Sequence, residues 1–76
     1  GDRQGENWWL DATLAEAELL QYEYRKSLLK FKEAMHKHTP YYFDVHSTFE
    51  QINSYAQITN KKDELASILN LLSKEE

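Results

Sequence analysis

The apolar positions of this chain recur at helical spacing in three stretches. Residues 8–38 contain neither Gly nor Pro and are rich in Leu, Ala, Glu, Lys and Gln, all residues that favour helix. Asn7 stands where an N-cap belongs, and Pro40 biases Thr39 away from helical geometry. The pattern therefore predicts one helix over 8–38, a rod of roughly 46 Å. Acids crowd its first half (Asp11, Glu16, Glu18, Glu23) and bases its second (Arg25, Lys26, Lys30, Lys32, Lys37), which suits the helix dipole. The row Val45, Phe49, Ile52 and Ala56 predicts a second helix over about 44–57, capped by Asp44, or by Thr39 with Pro40 at the first helical position. Leu65, Ile68, Leu69 and Leu72 predict a third over about 61–74, with Asn60 as its cap. No Gly or Pro separates these two, so one helix from about 43 to 74 is the competing reading. The polar residues 1–6 are expected to be disordered.

These elements make the chain all-α and a single domain over residues 1–76, with one long N-terminal helix and two shorter helices packed along it. The alternative is a two-helix antiparallel hairpin that pairs into a dimeric four-helix bundle.

The first helix carries two apolar rows. One follows a strict four–three spacing through Leu10, Leu14, Ala17, Gln21, Tyr24, Leu28, Phe31, Met35 and His38, of which seven of nine are apolar. The other runs through Trp8, Ala12, Ala15, Leu19 and Tyr22, roughly 150° around the same helix. A single neighbour cannot cover both. The later segments offer too few apolar rows to close both sides of such a rod, which leaves the second row for another chain. Trp8, Trp9, Ala12, Ala15, Leu19 and Tyr22 are accordingly the expected contacts with a protein partner or a second copy, Trp being a preferred interface anchor.

Composition narrows the classes further. The chain has 76 residues, a net charge of −4, 29% charged residues and no cysteine. A disulfide framework, a zinc finger and a thiol nucleophile are thereby excluded. No apolar window is long enough to span a membrane. The chain opens on Gly1, as a processed chain or an excised domain does, and shows no signal peptide. A cytoplasmic setting is the expectation, with the source compartment open. Arg25, Lys26, Lys30, Lys32 and Lys37 form a basic ridge that could meet nucleic acid or anionic lipid, as the alternative function. The acidity of the whole chain argues against nucleic acid.

Candidate chemistry is thin. His36, His38, Asp44 and His46 are metal-ligand types, yet His36 and His38 point about 200° apart on a helix. Glu33-Ala-Met-His36 has the Glu-x-x-His spacing of di-iron bundles but occurs once, off the main row. His46 and Ser47 diverge by about 100°, a poor base–nucleophile geometry, and no Gly-rich phosphate loop is present. The expectation is a non-catalytic helical interaction or assembly module with no metal and no cofactor.

Overall fold

The computed structural model describes residues 4–38 and 40–73, with side chains from Trp8 onward. They form four helices: α1 (Gln4–Leu20), α2 (Tyr24–Lys37), α3 (Tyr42–Thr59) and α4 (Ala66–Ser73). The all-α class stands. The single helix over 8–38 does not: it is two helices, folded back on each other at Gln21–Glu23. Gln4–Glu6 are helical rather than disordered, and residues 1–3 lie outside the described residues.

The fold-back is a Schellman turn. The amide of Glu23 donates to the Glu18 carbonyl at 2.9 Å and that of Tyr22 to Leu19 at 3.0 Å, while Tyr22 takes the left-handed conformation at φ 64°. Tyrosine there costs about 1–2 kcal/mol. The return is larger. A straight rod would leave the Trp8–Leu19 row in water, whereas the hairpin buries Trp8, Ala12, Ala15 and Leu19 of α1 in one core with Phe31 and Ala34 of α2. Burying a side chain the size of Leu or Phe stabilises by about 1.5–3 kcal/mol, so two or three of them outweigh the strained turn. Exposed Tyr22 recovers part of the cost through an edge contact with Tyr24 (6.3 Å between ring centroids) and Lys61 Nζ lying 5.6 Å from its ring. Substituting Tyr22 should rank by tolerance of positive φ. Gly and Asn are expected to match or exceed the parent in urea midpoint, and β-branched Val to fall about 1 kcal/mol or more below it. An equal midpoint for Val would show that the turn stores no strain.

The same turn ends α3. Asn60, at φ 58°, carries the left-handed position, with Lys61 N–H donating to Ala56 at 2.8 Å. Asn60 therefore closes α3 instead of capping the next helix, and the continuous helix over 43–74 is ruled out. Residues 62–65 form a turn, so α4 begins at Ala66, later than 61. At the front of α3, Tyr41 holds the N-cap position in extended backbone without a side-chain cap, and Asp44 sits in the first turn, where its charge favours the helix N-terminus. Thr39 lies outside the described residues.

The molecule is two hairpins stacked face to face. Within each hairpin α1 pairs with α2 and α3 with α4; between them α1 lies on α3 and α2 on α4. The core comprises the α1 row, Phe31 and Ala34, Val45, Ile52 and Ala56 of α3, then Leu65, Ile68 and Leu72. Trp8 is its largest member, packed at 6.3 Å from the Phe31 ring. Its indole N–H donates to Thr48 Oγ1 at 3.4 Å, and that hydroxyl donates on to the Asp44 carbonyl at 3.0 Å. The α1–α2 approach is set by small residues, with buried Ser27 donating to the Ala15 carbonyl at 2.7 Å. His38 closes the open end of that hairpin by donating Nε2–H to Asp11 Oδ2 at 2.6 Å.

Candidate protein-docking surface

The two rows of the sequence are placed otherwise than their spacing suggested. Trp8, Ala12, Ala15 and Leu19, expected at a partner, are fully or almost fully buried in the chain's own core. They do not reach the surface, because the break at Tyr22 turns them toward α2 and α3. Of the expected contacts only Trp9 and Tyr22 are exposed. The four–three row, expected to face the chain's own tail, splits at the same break. Its α2 half packs on the core through Phe31, Leu28 and Met35, while Leu10, Leu14 and Ala17 on α1 face solvent.

The uncovered surface of α1 is therefore an apolar stripe. Leu10 is 68% exposed, Leu14 58% and Leu20 59%, with Trp9 and Ala17 beside them. Leu10 and Leu14 are one turn apart, and Ala17 continues the row at i+7. A helix with apolar rows on two sides is normally covered on both. Here α2 and α3 cover one side only. Two shoulders border the stripe. Toward α2, Leu14 shares a shallow groove with Asp11, Lys30, Glu33 and Lys37. Toward α3 lies a cleft of about 170 Å³ lined by Glu16, Leu19, Leu20, Gln51, Ile52 and Tyr55. Ile58, one turn beyond Tyr55, is 85% exposed. Trp8 near Thr48 and Leu19 near Ile52 show that α1 and α3 run in the same direction along this cleft.

Charge is segregated around these shoulders. Neither α1 nor α3 contains a Lys or Arg, and their acids include Asp11, Glu16, Glu18, Asp44 and Glu50. Arg25, Lys26, Lys30, Lys32 and Lys37 all lie on α2 and all are exposed. Among the described residues the ion pairs are Asp11 with Lys37 at 3.9 Å and with His38, and His46 with Glu50 at 3.4 Å. The basic ridge is thus a surface feature of α2, spread around its solvent side and interleaved with Glu33.

Burial in the cleft raises the pKa of Glu16 above its ordinary value, because desolvation disfavours the carboxylate. A carboxyl whose folded-state pKa exceeds its unfolded one destabilises the fold once it ionises. The penalty is present above the folded-state pKa and absent below the unfolded one, where both states hold the proton. Glu16→Gln is therefore expected to unfold at a higher temperature than the parent at about pH 7 and at the same temperature near about pH 3. Parallel curves across that range would remove the desolvation argument.

The metal-ligand types do not converge. Among the described residues no group of three or more His, Asp or Glu is placed to hold a metal ion. His38 is engaged by Asp11, His36 is exposed, and His46 stacks between Tyr42 (5.6 Å) and Phe49 (6.4 Å). Tyr41, Tyr42 and Phe43 form a second exposed aromatic group at the start of α3. Among the described residues no helix is long and apolar enough to cross a membrane. Comparison with family models, curated proteins and solved structures found nothing that matches this chain.

Proposed function

We propose that this chain is a non-catalytic helical interaction module that docks another protein chain, or a second copy, through the solvent face of α1. The observation that supports this reading is the exposed row Leu10, Leu14 and Ala17, with Trp9 and Leu20 exposed on its α3 side, on a helix whose opposite row already fills the core. Contiguous exposed apolar surface of this kind marks interfaces in folded proteins.

The test is a double substitution on the stripe. Leu10→Asp with Leu14→Asp is expected to leave helicity and unfolding midpoint within about 0.5 kcal/mol of the parent, since both side chains are in water. It is also expected to abolish association, read as solution mass by light scattering and as co-purification of a bound protein. A parent that runs alone at its 9.0 kDa mass, and captures nothing that the variant fails to capture, would sink the reading.

The bases of α2 support a second reading, in which that helix meets anionic lipid or nucleic acid. All five are exposed, and only Lys37 forms an ion pair among the described residues. Binding of this kind would fall steeply with added salt and be lost on Lys26→Glu with Lys30→Glu.

A further inference from the structure

Resting on the docking reading, we infer that the α1–α3 cleft receives an amphipathic helix of another protein, seated by an aliphatic side chain and held by a Lys or Arg on Glu16. The cleft runs between two helices of the same direction, and its lining repeats at helical intervals: Glu16, Leu19 and Leu20 on one wall, Gln51, Ile52 and Tyr55 on the other. A groove of this form is the receptor half of helix-in-groove recognition, in which anchors at i, i+3 and i+4 fill the groove. Its volume of about 170 Å³ suits one Leu- or Ile-sized side chain. Leu20, more than half exposed, leaves the apolar rim of the groove open to an incoming side chain.

Charge selects the occupant. Glu16 lines the cleft, and no described residue forms an ion pair with it. The two walls come from helices without a single Lys or Arg, so the chain supplies no cation of its own from either wall. A two-fold dimer through this face would bring no cation to Glu16, since an isologous contact presents each patch to its own copy and neither wall carries a Lys or Arg. A partner helix with bases beside its apolar row brings one. Desolvation of Glu16 in the free protein makes the site more receptive: the cation restores to the carboxylate the favourable surroundings that burial removed. Glu16 would then cost stability when the cleft is empty and contribute affinity when it is filled, a combination that a merely structural residue does not show.

The experiment uses synthetic helical peptides of about 16 residues, capped at both ends, with leucines at i, i+3, i+4 and i+7 and flanked by lysine, alongside the same peptide with every lysine replaced by glutamate. Titration calorimetry against the full chain is expected to show saturable binding of the lysine peptide and at least tenfold weaker binding of the glutamate peptide. Glu16→Gln is expected to weaken the lysine peptide about fivefold while raising the unfolding temperature of the free protein. Leu20→Asp should abolish binding with the helical circular-dichroism signal intact. Equal affinity for the two peptides, an unchanged affinity in Glu16→Gln, or no saturation by the lysine peptide to about 1 mM would overturn the basic occupant. A peptide-free protein of doubled mass that reverts to monomer on Glu16→Gln would overturn the assignment to another protein, because the cleft would then hold the basic α2 helix of a second copy around Leu29. Binding that depends on Leu20 but is indifferent to charge would overturn the basic occupant while leaving the docking surface in place. Association lost on Leu10→Asp with Leu14→Asp but untouched by Leu20→Asp would do the same, by moving the contact off the cleft.

Discussion

Trp8→Ala is expected to remove about 3–5 kcal/mol of folding free energy, the usual cost of truncating a buried aromatic. A chain of 76 residues has only about 4–11 kcal/mol to lose, so the variant should be largely unfolded near its parent's midpoint. Three contributions vanish together. The indole is the largest fully buried side chain, its ring packs against Phe31, and its N–H holds the Thr48 hydroxyl that ties α1 to α3. Thr48 would keep its bond to the Asp44 carbonyl but lose its donor from α1. Trp8→Phe separates these effects. It retains most of the apolar area and is expected to cost about 1–2 kcal/mol, chiefly from the lost N–H and the smaller ring. The measurement is urea denaturation followed by circular dichroism. It also discriminates between two assignments of Trp8: an interface residue would lose association and keep its midpoint, whereas a core residue loses the midpoint first.

Ala15→Leu is expected to cost about 3 kcal/mol, at the upper end of what overpacking does. At this point α1 and α2 are held close by the Ser27 hydroxyl on the Ala15 carbonyl at 2.7 Å, with both residues fully buried. An isobutyl group cannot be accommodated without prising the helices apart, which breaks that hydrogen bond and leaves the Ser27 hydroxyl buried without its partner. Ala17→Leu is the control. Ala17 lies two residues along on the exposed face of the same helix, and the substitution there should change the midpoint by less than about 0.5 kcal/mol. Equal effects at the two positions would contradict the placement of the two rows.

Leu10, Leu14 and Ala17 on one side and Trp8, Ala12, Ala15 and Leu19 on the other were legible as two apolar rows before any fold was known, because helical periodicity alone separates them. Their assignment was not. The row richer in aromatics at its start became the core, and the longer row was cut in half. The cut at Tyr22 gives no local warning: the residues around it are helix formers, and Tyr is a poor occupant of the left-handed position that the turn imposes. Asn60, by contrast, is a recognised occupant of that position, and its turn could have been inferred from the chain. Glu16 gave no signal in one dimension either. Only the approach of α3 turns it from one more acid on a helix into the polar member of an apolar cleft.

Local spacing and composition were enough to determine that this chain is helical, that its first segment bears more apolar surface than one neighbour can cover, and that its acids precede its bases. These are properties of residues a few positions apart, where propensity and periodicity act. Which row is inside, where the rod folds back and which charges meet across a groove were decided by contacts between residues 12 to 40 positions apart. The hairpin forms because burying the Trp8 row against Phe31 and α3 outweighs one strained tyrosine, and that balance exists only once α2 and α3 are packed on α1.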